Sequence, residues 1–170
     1  AAAFVLTVLV AITGVGSVSA LDYPKKVIRL VVPFAAGGGT DVIARQLAAR
    51  MSDSLKAPII VDNRPGANGI IGSEIVAKAP PDGYTLLFVS SPHSVNPSMY
   101  PKQIRYDTLR DFAPIAQAAT SGYILVAHPS LGVRTVKELV ALAKTRPDQI
   151  DYASGGSGSS AHLAAELFNQ

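Results

Sequence analysis

Residues 27–34 read VIRLVVPF, with four β-branched residues, one charge and no alternation of polar with apolar positions. A strand without a polar face is one buried on both sides. That is the mark of a parallel sheet covered by helices. Ala35-Ala36-Gly37-Gly38-Gly39 breaks the run, and Thr40 is placed to cap a helix reaching Leu55. In that helix Ile43, Leu47, Met51 and Leu55 recur every four residues beside Ala44 and Ala48, which makes one face apolar. Residues 58–61 predict a second strand, residues 62–69 (DNRPGANG) a loop, residues 70–79 a helix, and residues 84–89 a third strand after the turn Pro80-Pro81-Asp82-Gly83. Strands alternating with helices define an α/β fold with a mostly parallel sheet.

The later part of the chain continues the pattern less densely. Residues 90–101 (SSPHSVNPSMYP) read as a polar, proline-broken loop. Residues 112–119 and 123–127 predict strands. Thr135-Val136-Lys137-Glu138 has the capping-box spacing for a helix ending near Lys144, before Pro147. Residues 150–153 predict a short strand, residues 154–160 (SGGSGSS) a second glycine-rich loop, and residues 161–168 a helix. The expected division is a first α/β lobe over residues 21–120, incomplete, and the truncated opening of a second domain over residues 121–170. Two strands and two helices are too few to bury a core.

Residues 1–20 (AAAFVLTVLVAITGVGSVSA) carry no charge. An apolar stretch over residues 4–12, then small residues ending in Val18-Ser19-Ala20, predicts a signal peptide cleaved after Ala20, with its charged n-region missing. A retained anchor is the alternative. The implied destination is the periplasm. There is no cysteine, which excludes a disulfide framework and a thiolate metal site. The 15 Lys and Arg exceed the 12 Asp and Glu only slightly and form no run, so no nucleic-acid partner is expected.

One constellation occurs twice: a strand, a glycine-rich loop, then a helix. The first turn of a helix has N–H groups without intrahelical partners, and the macrodipole adds partial positive charge there. Glycine lets that backbone approach a ligand closely, which makes an anion site without a cationic side chain. In open α/β sheets such sites lie beyond the carboxyl ends of strands. Both loops can equally be tight connections with solvated serines. AAGGGTD lacks the ending of a P-loop and the spacing of a dinucleotide site. Asp62 reads as structural. The histidines are His93, His128 and His162; there is no HExxH and no nucleophile elbow. Asp41, in a first helix turn, can stabilise the dipole or meet a ligand amine. No metal or cofactor is expected.

The segments YPKKVIRLVVPFAAGGGTDVIARQLA, VDNRPGANGIIGSEIVAKAPPDGYTLLFVSSPHSVNPSMY, DFAPIAQAA and YASGGSGSSAHLAAELF together resemble the Bug or TctC family. Its members are extracytoplasmic solute receptors of tripartite tricarboxylate transporters. The resemblance runs from Tyr23 to the end, and NRPGA–IG–VAKA–PDGYTLL is its most specific part. The chain reads as about the first half of a family member. The resemblance implies a two-lobed Venus-flytrap fold, a monomer, and a small carboxylate held in the interdomain cleft for membrane transporter subunits. Carried onto matching positions it marks Phe34, Ala35, Gly37, Gly38, Thr40 and Asp41 in the first loop, and Ser157, Gly158, Ser159 and His162 in the second. Ser90, Ser91 and His93 match the loop that tunes ligand choice. Ala67-Asn68-Gly69 departs mildly from the family pattern, because a second small residue often follows PGA. The rival reading is an exported α/β hydrolase using Ser90 or Ser91 with His93; a third is a receptor feeding a signalling protein.

Overall fold

A computed structural model describes residues 23–170 of the chain; the expected signal peptide lies outside the described residues. The elements run β1 (Ile28–Val32), α1 (Gly39–Leu55), β2 (Ile59–Asn63), a 3-10 turn (Ala67–Gly69), α2 (Ile70–Ala77), β3 (Thr85–Leu87), α3 (Pro92–Met99), a second 3-10 turn (Pro129–Leu131), α4 (Val136–Thr145) and α5 (Ser160–Phe168). Three strands form one parallel sheet in the order β2-β1-β3. Ile28 pairs with Ile59 and Val32 with Asn63 on one side of β1, and Arg29 pairs with Thr85 on the other.

The double-sided burial expected of residues 27–34 is found. Ile28, Leu30, Val31 and Val32 are buried. Leu30 and Val32 pack with Ala44 and Ala48 of α1, and Phe34, Ile59, Val61, Leu86 and Phe88 close around them. The small Ala44 and Ala48 let α1 lie close on the sheet. Helix α2 packs against β1 and β3. The chain reverses direction across the sheet between its two crossovers, so right-handed connections put α1 and α2 on opposite faces.

Four expectations need correction. Residues 112–119, 123–127 and 150–153 carry no strand. They are apolar enough, but a strand exists only where a neighbour completes its hydrogen-bond ladder, and no described residue does so. Ile115 is 80% exposed, Ile124 87% and Val126 80%. Second, residues 92–99 are helix α3, not loop. Pro92 stands at the helix start, where its missing N–H costs nothing, and Asn96 and Pro92 are buried. Third, Thr40 is not the cap of α1. The helix begins at Gly39, two residues before the start a Thr40 cap would give, and Gly38 occupies the cap position without a side-chain bond. Fourth, only part of the capping box at Thr135 forms. Thr135 accepts from the Glu138 N–H at 3.2 Å, whereas the Glu138 carboxylate accepts from the Arg134 N–H at 2.7 Å.

Candidate ligand-binding site

The first glycine-rich loop leaves the carboxyl end of β1 and enters α1. Residues 35–39 are exposed. Gly37 has φ +81°, a backbone state that L side chains resist, and a Cβ on Gly37 or Gly39 would meet nothing within 4 Å. The backbone here therefore faces open space. What fixes it is Asp41, 2% exposed. One carboxylate oxygen accepts from the Gly37 N–H at 2.8 Å and from Arg45 Nε at 2.9 Å; the other accepts from Asn63 Nδ2 at 2.8 Å. Asn63 also donates to the Phe34 carbonyl at 3.1 Å and accepts from Arg45 at 2.9 Å. The Arg45 guanidinium, the Gly37 N–H and the Asn63 amide hold the Asp41 carboxyl down at about 2. Both Asp41 oxygens are thus engaged in tying the loop to the ends of β1 and β2.

Asp62, read as structural, is so in the fold. Its burial favours the neutral acid, but hydrogen bonds from Arg29 and Arg64 outweigh that and keep its pKa below the ordinary value.

The second loop, residues 154–159, enters α5. Gly156 and Gly158 both have positive φ. Ser159 is the cap of α5, its Oγ accepting from the His162 N–H at 3.2 Å. His162 Nε2 lies 3.9 Å from Glu166, while its Nδ1 is buried without a hydrogen-bond partner. Ser157 is exposed and Gly158 is buried.

The 3-10 turn at Ala67–Gly69 lies between the two loops. A Cβ on Gly69 would stand 3.5 Å from the Phe34 ring, and Asn68 abuts Gly158. Between this turn and the second loop lies an open cleft of about 350 Å3, lined by Ala67, Asn68, Tyr100, Gln103 and residues 155–157. Phe34 and the pair Ser157 and Gly158 are therefore joined through one turn. Ser90 and Ser91 are exposed at the start of α3. His93 is half-buried: its Nδ1 faces Ser73 Oγ at 3.1 Å, and its ring stacks on Tyr106 and meets the edge of Phe112. This hydrogen bond goes to Ser73, not to Ser90 or Ser91, and burial lowers the His93 pKa. Sequence reasoning missed Arg45, Asn63, Asn68 and Tyr100. The i,i+4 spacing of Asp41 and Arg45 was a readable signal for the first; the other three act across elements.

Among the described residues no group of three or more His, Cys, Asp or Glu could hold a metal ion. No helix among them is long and apolar enough to cross a membrane.

A sequence model described as "Tripartite tricarboxylate transporter family receptor", TctC, matches residues 43–170. The chain belongs to the TctC family. It is 42% identical to protein BugT of Bordetella pertussis over 96% of its own length and 51% of that protein's. It is also 42% identical to a protein from the tcbD-tcbE intergenic region of a Pseudomonas strain, over 85% of the chain and 43% of that protein. Among solved structures, MatC of Rhodopseudomonas palustris with bound malate matches at TM-score 0.74 and 32% identity, over 86% of this chain and 50% of that one. An R. palustris protein with adipate matches at 0.73 and 36%, over 87% and 50%. The periplasmic binding protein BugD matches at 0.70 and 36%, over 86% and 48%. The chain spans about half the length of the curated relatives it matches. Its fold is that of periplasmic binding proteins, and its family is one of periplasmic receptors rather than enzymes.

Proposed function

We propose that this chain supplies the first lobe, to about residue 120, and the opening of the second lobe of a receptor that captures a small carboxylate for a tripartite transporter. The observation that carries the reading is a glycine-rich loop opening a helix at two places, Phe34–Asp41 before α1 and Ser157–His162 before α5. Each offers uncommitted backbone N–H groups at a helix start. The Gly37 N–H is taken by the Asp41 carboxylate and the Gly38 N–H by the Ala35 carbonyl at 3.4 Å, so a ligand carboxylate would meet the N–H groups of Gly39 and Thr40 in the first loop. In the second, where the Ser159 N–H bonds the Gly156 carbonyl at 3.0 Å, it would meet Ser157 and the Ser159 hydroxyl, with His162 beside them. Ser90, Ser91 and His93, at and beyond the start of α3, would tune the choice of acid. The malate and adipate bound by two neighbours make dicarboxylates the first class to try.

The test is a thermal-shift screen of the full-length protein against malate, adipate, citrate, acidic amino acids and aromatic acids. A ligand at 100 times its Kd that binds only the folded state stabilises it by about 2.7 kcal/mol. A shift of several degrees with one acid, recovered chemically intact, is the expected result. Flat melting curves across the whole panel would reject the carboxylate assignment.

A further inference from the structure

The second glycine loop does not stand free of the first lobe. A Cβ placed on Gly158 would lie 2.9 Å from Asn68 Nδ2, 3.0 Å from Met99 Sδ and 3.5 Å from the Tyr100 ring. The Tyr100 hydroxyl donates to the Ser157 carbonyl at 3.1 Å. Asn68 is itself held from behind. Its Nδ2 donates to Asn96 Oδ1 at 2.9 Å, and Asn96 Nδ2 donates to the Asn68 carbonyl at 3.0 Å. Asn96 is fully buried. Ala67 and Asn68 both adopt left-handed backbone, φ 46° and 53°, which asparagine tolerates and alanine resists. The Asn68–Asn96 pair ties this turn to α3, and Gly69 places it against Phe34.

We propose that Asn68 and Tyr100 are positioning residues for the ligand site. They seat Ser157 and Gly158, and hence the start of α5, at a set distance from the first glycine loop. The inference rests on the reading that the two loops together hold the ligand. The seat is small: one hydroxyl-to-carbonyl bond and one closely packed glycine. Opening it exchanges that bond for one to water, at little net cost. It therefore biases the spacing of the loops without locking it, and the adjoining cleft leaves room for the loop to move away.

Two variants of the full-length protein test this. Tyr100→Phe removes only the hydroxyl. Asn68→Gly removes the amide while keeping a residue suited to φ 53°. The readouts are amide hydrogen exchange of the ligand-free protein and binding of malate and adipate by calorimetry. The expected result for both variants is exchange at residues 156–160 at least about threefold faster, unchanged exchange at residues 28–32, and Kd raised several-fold. If exchange at residues 156–160 stays at the wild-type rate, the seat does not exist and the proposal falls, whatever happens to binding. Faster exchange with unaltered Kd would overturn the coupling to the site. If the wild-type protein binds neither acid, nor any other in the thermal-shift panel, the two-loop reading fails first and takes the proposal with it.

Discussion

Residues 23–111 and residues 112–170 have similar apolar content along their strand-like runs, yet only the first part turns those runs into a sheet. Ile28 is fully buried in the centre of three parallel strands, whereas Ile124 is 87% exposed and belongs to no strand. The helices behave differently. Helix α4 and helix α5 form in the second region with caps from Thr135 and Ser159, although neither has a buried residue. A capped helix satisfies its own backbone within a few residues of sequence; a strand depends on a neighbour that can be far away in the chain. Local chemistry is therefore enough to place α4 and α5, and not enough to place the strands beside them.

The largest test of this contrast is one substitution made in both regions. Ile28→Ala should cost about 2–5 kcal/mol of unfolding free energy in denaturant titrations, as expected for a fully enclosed aliphatic side chain. Ile124→Ala should stay within about 0.5 kcal/mol. A large loss at Ile124 would mean that the second region is buried against something in solution.

A smaller effect is expected at glycines. In Gly72→Ala the new Cβ would lie 2.6 Å from Pro33 Cβ and 2.8 Å from the Arg64 carbonyl, while at Gly122 it would meet nothing within 4 Å. The first should destabilise by about 1–3 kcal/mol through overpacking against backbone. Gly122→Ala should be close to neutral. Equal melting temperatures for the two variants would show that α2 can slide away from the end of β1.

The smallest effect concerns pH. Burial lowers the His93 pKa below its ordinary value of 6.5, so the unfolded chain binds this proton more readily than the folded one. The stability that depends on neutral His93 is present above pH 6.5 and declines as the pH falls below it. Tyr106, Phe112 and Ser73 face the ring, and burial among them is the cause of the shift. His93→Gln should flatten this limb of a stability-versus-pH curve. An unchanged limb would place the acid sensitivity elsewhere.

How much of this was legible depended on distance in sequence. The β-branched run of β1, the four-residue period of α1, the glycines of both loops and the Thr135 cap are local signals, and each lies where the sequence placed it to within a residue or two. Helix α3 was hidden because prolines and serines dominate residues 90–101; its burial through Pro92 and Asn96 depends on partners such as Asn68, 28 residues away. The first loop was legible as a loop. Its fixation was not, because Asn63 reaches it only once β2 pairs with β1. The seat under the second loop was invisible for the same reason: Tyr100 and Ser157 are 57 residues apart. The three unformed strands were misread because apolar β-branched sequence states a capacity to pair, not the presence of a partner.

The sheet order β2-β1-β3 has a consequence for the timing of synthesis. The most apolar strand is made first and lies in the middle, so it cannot be covered on both edges until Leu87 has been added, 55 residues after Val32. At a synthesis rate of about 5–20 residues per second, β1 stays half-paired or unpaired for roughly 3–11 s. During those seconds VIRLVVPF is an adhesive segment on a growing chain, and the nascent protein should be a client for whatever binds exposed apolar strands.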